Sequence, residues 1–169
     1  MYQERYWKEL YQLKVHVSYL QLYQQQSESR EKAVNIFLAV TSSSSIAGWA
    51  IWQTHGFIWA AIIAASQVVT AIKMFLPFRT RLKALTGLLH EMEEVSTYAE
   101  MRWYDVSEGV LSEREIHDLQ YEIRARKHQL LRKHLGGGTL PEKPQLFANA
   151  VTSAETYFDN FYPRGGRDE

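Results

Sequence analysis

The chain has 169 residues, no cysteine, and 19 basic against 19 acidic residues, so its formal net charge is zero. This balance excludes a protein that coats nucleic acid through an overall positive charge, and no DNA partner is expected. The lack of cysteine excludes a disulfide framework, a thiolate nucleophile, a zinc finger and an iron–sulfur cluster. A mean hydropathy of −0.34 excludes a polytopic transporter but leaves room for one or two membrane spans.

The first predicted element is a cytosolic amphipathic helix over 1–32. Residues suited to a buried face recur in it at alternating steps of four and three, while Gln, Glu and Lys are frequent at the other positions. This spacing is typical of a heptad-like helix that packs along one stripe. The stripe consists of Tyr6, Leu10, Leu13, Val17, Leu20 and Gln24.

A long stretch without charge follows, because residues 33–72 include no Lys, Arg, Asp or Glu. A helix of about twenty residues rises roughly 30 Å, which is the thickness of a bilayer's hydrocarbon core. We therefore predict transmembrane helices over 33–52 and 57–78, joined by a loop at 53–56. Basic residues flank both spans and none lies in the loop, so both termini are expected on the cytoplasmic side of the inner (cell) membrane. A buried helical hairpin in a soluble bundle is the alternative.

Polar residues form a stripe on each predicted span. They are either contacts between the two helices, with hydroxyl groups bonding across the pair, or the lining of a water-filled path in an oligomer. One of them, Lys73, lies about one turn from the cytoplasmic end, where its ammonium is able to reach the headgroups. The candidates for pore lining or for the helix interface are Asn35, Ser42, Ser45, Trp49, Gln67, Thr70 and Lys73.

A cytosolic helical region is predicted over 79–162, with Pro77 kinking the chain just before it. Its first helix repeats the three-four spacing of the N-terminal helix, so the two should pack as an antiparallel stalk. The positions are Leu82, Leu85, Leu89, Met92, Ser96, Ala99 and Trp103.

Two further helices are predicted toward the C-terminus. Ser112 and Glu115 form a capping-box pattern that opens a helix to about Leu135, where three glycines follow. A last amphipathic helix is expected over 144–162, and 163–169 is predicted to be a disordered tail. With no strand pattern, the fold is predicted to be all-α: a membrane hairpin continuing into an antiparallel helical stalk with additional C-terminal helices.

Basic residues are concentrated in one run of the cytosolic region. Three interpretations stay open: pairing with the acidic segment before it or simple solvation, contact with anionic lipid headgroups, and an anionic ligand site with Trp103, Tyr104 or Tyr121 stacking a base. The candidates for a ligand or for anionic lipid are Arg124, Arg126, Lys127, Arg132 and Lys133.

Catalytic and metal-binding patterns are absent from the sequence. His90 is followed by Glu91, Glu93 and Glu94, but no second histidine stands four residues after it, so the zinc-protease pattern is not met. No nucleophile-elbow motif is present either. We expect no enzyme activity, no cofactor and no metal.

This order of elements resembles the SLATT family of prokaryotic effectors with two transmembrane helices, which associate with nucleotide-generating (SMODS) and nucleotide-sensing (SLOG) proteins. The resemblance covers roughly residues 6–135. It rests on the amphipathic run ending in Ser-Arg-Glu-Lys at 29–32, the hydroxyl-rich first span, and the basic exit Phe-Arg-Thr-Arg at 78–81. It implies a role in anti-phage defence, where a nucleotide signal switches the effector to permeabilise the inner membrane.

Two functions are therefore expected. The first is an oligomeric membrane effector of an abortive-infection system that forms a pore or disrupts the inner membrane, with the bilayer, other copies of the chain, and a nucleotide second messenger or a nucleotide-sensing protein as partners. The alternative is a membrane-anchored coiled-coil scaffold without pore activity.

Overall fold

The computed structural model describes residues 2–51, 56–75, 78–136 and 140–162. They form five α-helices, and within these ranges there is no strand. The all-α class predicted from the sequence is therefore confirmed. The helices are α1 (Tyr2–Ile51), α2 (Gly56–Phe75), α3 (Phe78–Ser107), α4 (Glu113–Leu135) and α5 (Pro144–Phe161).

The chain divides into two compact units. The first, the core unit, consists of Met1–Gln24 and Ala84–Glu169 and therefore contains the N-terminal half of α1, most of α3, and α4 and α5. The second, the inserted unit, is Gln25–Lys83 and contains the rest of α1, α2 and the first turns of α3. The inserted unit thus interrupts the core unit in sequence.

In the core unit, α1 and α3 pack antiparallel, as predicted from the sequence. Gln3 Nε2 donates to the Val106 carbonyl at 2.9 Å, and the Tyr6 hydroxyl donates to the Ala99 carbonyl at 2.8 Å. Further along α1, Gln21 Nε2 donates to Glu93 Oε1 at 2.7 Å. Partner numbers on α3 fall as those on α1 rise, which defines the antiparallel direction. Most of the predicted stripe is buried, namely Tyr6, Leu10, Leu13, Val17, Leu20, Leu85, Met92, Ser96 and Ala99.

Helices α4 and α5 complete a four-helix arrangement in the core unit. The guanidinium of Arg124 bonds Glu9 on α1, while the ammonium of Lys133 bonds Glu91 on α3. From α5, Phe158 packs its ring against Trp7 with a centroid distance of 4.9 Å. The core of this unit is therefore built from four helices, and α5 covers the aromatic end of α1.

Local signals explain where the helices stop and start. The Schellman pattern that ends α3 has Gly109 in the left-handed region with φ 69°, its N–H bonding the Val106 carbonyl, and the Val110 N–H bonding the Asp105 carbonyl. The predicted capping box at Ser112 and Glu115 is present and opens α4. This helix ends one residue before Gly136, which is also left-handed with φ 57°.

The inserted unit differs in detail from the predicted hairpin. Helix α1 runs without a break through residue 32, where a boundary between a cytosolic helix and a first span was predicted. Helix α2 begins at Gly56, within the predicted loop, and α3 begins at Phe78, within the predicted second span. The rest of that loop, the predicted kink at Pro77 and the predicted disordered tail at 163–169 lie outside the described residues.

Among the described residues, no helix combines the length and the apolarity needed to cross a membrane. The spans at 33–52 and 57–78 therefore stay a prediction.

Candidate functional site

Buried and exposed apolar residues are divided unequally between the two units. All of the buried hydrophobic side chains that the structure describes belong to the core unit. In the inserted unit, large hydrophobic side chains point outward instead, and Phe57 is 87% exposed. We call this set the apolar surface: Ile36, Phe37, Val40, Phe57, Ile58, Ile63, Val68 and Ile72. An outward-facing apolar set of this size, with no charge between 33 and 72, marks an interaction surface.

Between residues 33 and 72, the sheltered side chains that the structure describes form one narrow stripe on each helix. On α1, Val34, Leu38 and Thr41 are half-buried or buried, while most residues between them are exposed. On α2 the half-buried positions are Ile62, Ser66 and Val69. Both sets have a spacing of four and then three residues, which places each on one helix face. The other described side chains between residues 33 and 72 are exposed.

Hydroxyl groups in this unit bond to their own helix. Thr41 Oγ1 donates to the Phe37 carbonyl at 2.9 Å, and Thr70 Oγ1 donates to the Ser66 carbonyl at 2.8 Å. Ser66 Oγ in turn donates to the Ile63 carbonyl at 2.8 Å. A hydroxyl that bonds the preceding turn is satisfied without water, which lowers the cost of an apolar environment.

Of the residues predicted to line a pore or a helix interface, three have described side chains. Asn35, Gln67 and Thr70 are exposed and lie outside the two sheltered stripes. The others belong to α1 and α2 by their backbone, but their side chains lie outside the described part: Ser42, Ser45, Trp49 and Lys73.

The basic residues of the run on α4 pair with several different residues of the chain. The Arg124 guanidinium donates through Nε at 2.9 Å and Nη2 at 2.6 Å to Glu9 Oε2, and this bond raises the pKa of Arg124. Arg126 pairs within its own helix with Glu122 at 2.5 Å and stacks its guanidinium on Tyr98. The partner of Arg124 differs from the predicted one, because Glu9 belongs to α1 and not to the acidic segment over residues 91–122.

Two residues at the end of α4 meet one carboxylate on α3. Lys133 Nζ donates to Glu91 Oε1 at 2.6 Å, and His134 Nε2 lies 3.0 Å from the same oxygen. The bond from Lys133 is the main reason that the pKa of Glu91 is lowered. Pairing with the acidic segment over residues 91–122, one of the predicted alternatives, is therefore present for Arg126 and Lys133.

Lys127, also in the basic run, borders a cavity that the sequence did not reveal. The cavity has a volume of about 240 Å³ and lies in the core unit. Its polar lining residues are Lys127, His16, Tyr19 and Glu142. The apolar ones come from α1, α3, α4, α5 and the segment between α4 and α5: Leu20, Met92, Leu131, Leu135, Leu140 and Phe147. No local motif links these segments, so sequence spacing gave no signal for the cavity.

The aromatic residues proposed to stack a nucleotide base do not form a common site with the cavity. Trp103 is half-buried, with its ring stacked on Tyr6 at 6.1 Å and tilted against Trp7 at 4.9 Å. Tyr104 and Tyr121 are exposed on α3 and α4. Within the described residues, no three side chains of His, Asp or Glu come together as a metal site.

Comparison of the chain with models of protein families, with curated proteins and with solved structures gave no match.

Proposed function

We propose that the chain is a membrane effector whose inserted unit places its apolar surface in a lipid bilayer while the core unit stays in water. The observation that carries this proposal is the unequal division of apolar side chains, since the described buried hydrophobic residues all lie in the core unit. Large exposed side chains such as Phe57 and Val68 need an apolar partner. Lipid fits the absence of charge from residue 33 to residue 72.

Self-bonded hydroxyl groups support lipid as that partner. Because Thr41, Ser66 and Thr70 donate to carbonyls of their own helix, they do not need bonds from water. Several copies are required for a pore, since two helices do not enclose a water-filled path. As the family resemblance implies, the proposal includes oligomers that permeabilise the inner membrane of a prokaryote during phage infection, switched by a nucleotide signal or by a nucleotide-sensing partner.

The first test is flotation and dye release with liposomes. Wild-type chain should float with the vesicles and release an entrapped dye. Val68→Lys with Ile72→Lys should abolish both, because position 68 lies near the centre of the predicted span, where a lysine costs roughly 2.5–3.5 kcal/mol on insertion. The matched control is Val110→Lys with Tyr121→Lys, which places the same charges on exposed apolar positions of the core unit and should change neither. Wild-type chain that stays with the unbound fraction would contradict the proposal.

The second test separates a pore from a tether. Ser42→Leu with Ser45→Leu should suppress dye release but leave flotation intact, if hydroxyls of α1 line the water path. Replacing 33–78 by an unrelated helical hairpin of equal length should retain flotation and lose release. Flotation without dye release in the wild type, with flotation kept after the replacement, would instead identify a membrane-anchored scaffold.

A further inference from the structure

The cavity in the core unit has the size and the lining of a small-molecule site. A cavity of about 150 Å³ lined by apolar side chains holds benzene, so about 240 Å³ is enough for roughly ten non-hydrogen atoms. Leucine, methionine and phenylalanine side chains supply most of its wall. Such a wall favours a ligand with an apolar body.

One end of this cavity carries the positive charge of Lys127, which no carboxylate of the described residues contacts directly. Among the described residues, no carboxylate lies within 4.0 Å of Lys127 Nζ, unlike the ammonium of Lys133 on the same helix. The nearest polar atom recorded for it is His16 Nδ1 at 3.4 Å. That nitrogen also lies 2.8 Å from the Gln12 carbonyl, which requires Nδ1 to donate its proton. The ammonium of Lys127, which lines the cavity, therefore has N–H groups from which a ligand is able to accept hydrogen bonds.

The electrostatic surroundings fit this geometry. Burial is the main reason that the pKa of Lys127 is lowered; the charge of Glu9 opposes this shift, and the charge of Arg124 adds to it. The pKa of His16 is also lowered, first by desolvation and then by the charge of Lys127. An anion bound between the two side chains would relieve both effects, because an opposite charge stabilises the protonated forms.

We propose that this cavity binds a small amphipathic carboxylate, with its aliphatic or aromatic body among the leucines and its carboxylate on Lys127. Glu142, which also lines the cavity, disfavours ligands with more than one negative charge. The ligand class is therefore a monoanion of about ten non-hydrogen atoms. This inference concerns the core unit and does not depend on the function proposed for the apolar surface.

The experiment is calorimetric titration of the purified full chain in lipid nanodiscs, with empty nanodiscs titrated in parallel to subtract partitioning into lipid. The probes are octanoate, octanol and octylamine, which share the apolar body and differ in the charge of the head. Octanoate should bind at least ten-fold more tightly than the other two, because only its head brings a negative charge to the Lys127 ammonium, whereas octanol is neutral and octylamine is a second cation. Equal binding of the three probes, or no binding of octanoate, would overturn the proposal.

Two variants locate the site. Lys127→Met keeps the apolar stem of the side chain and should weaken octanoate binding roughly ten-fold while leaving octanol unchanged. Arg114→Met removes an exposed charge from the same helix and should leave the octanoate affinity as in the wild type. Octanoate affinity that is unaffected by Lys127→Met would refute the assignment of the head group. Circular dichroism of both variants checks that the helical content is retained.

Discussion

His134 places its imidazole directly beside Gly87, where α4 ends against α3. A Cβ atom on Gly87 would lie 2.9 Å from His134 Cε1 and 3.2 Å from Nδ1, which is closer than packed atoms approach. The same imidazole bonds Glu91 at 3.0 Å. Because Gly87 has no side chain, the imidazole of His134 is able to reach the carboxylate of Glu91.

The substitution Gly87→Ala should therefore have different effects with and without the ring. Alanine is about 1 kcal/mol better than glycine in a helix interior, and displacing His134 from Glu91 loses roughly 1 kcal/mol, so the free energy of unfolding should change little. In a His134→Ala background the same substitution should stabilise by about 1 kcal/mol. Denaturant unfolding of the four proteins measures the coupling, and additive effects would contradict this explanation.

Charge reversal at Arg124 should loosen the core unit. The carboxylate of Glu9 is only 13% exposed, so Arg124→Glu would place a second negative charge next to a sheltered one. We expect a loss of about 1–2 kcal/mol in the free energy of unfolding at neutral pH. Arg132→Glu makes the same change of charge at an exposed position of α4 and should stay within about 0.5 kcal/mol of the wild type. Equal losses in the two variants would show that net charge matters and the ion pair does not.

Glu91 should give the core unit a measurable acid sensitivity. Its pKa in the folded chain is lowered from the ordinary value of 4.5, first by the bond from Lys133. The carboxylate therefore stabilises the fold above the ordinary carboxyl pKa, and this contribution disappears as the pH falls through the lowered value. Thermal melting across pH compares the wild type with Glu91→Gln. The difference in melting temperature should be constant above about pH 5 and shrink below it, whereas a constant difference at all pH values would exclude this role.

The Tyr6 hydroxyl should contribute to the packing of α1 on α3. It is buried, burial raises its pKa, and it donates to the Ala99 carbonyl at 2.8 Å. Tyr6→Phe keeps the ring and removes this bond, so we expect a loss of about 1 kcal/mol in the free energy of unfolding. Tyr104→Phe removes an exposed hydroxyl on α3 and should be neutral. Chemical denaturation of both variants checks the difference.

Features encoded within a few residues were predictable from the sequence. The capping box at Ser112 needs only the serine and a glutamate three residues later, and Gly136 marks the end of the same helix. The heptad stripes predicted the buried faces of α1 and α3, because a seam of this kind repeats over many turns. Their antiparallel direction was predicted from the helical hairpin expected between them, and not from the stripes.

Features that depend on how helices are placed side by side were not predictable. Arg124 could have met any acidic residue, and its bond to Glu9 requires the axial register between α4 and α1, which no local pattern contains. The cavity beside Lys127 is bounded by four helices and the segment that joins the last two.

The core unit consists of two sequence segments, so its two parts are synthesised at different times, with the inserted unit between them. The ribosome synthesises the N-terminal half of α1 before the other segment of the core unit. The residues that bury the apolar face of α1 all belong to that later segment, which begins after residue 83. The charge-free stretch at 33–72 therefore leaves the ribosome while Leu10 and Leu13 still lack their packing partners. Because long-range contacts form only when both segments exist, the core unit closes last during biosynthesis, after the apolar segment has already met its surroundings.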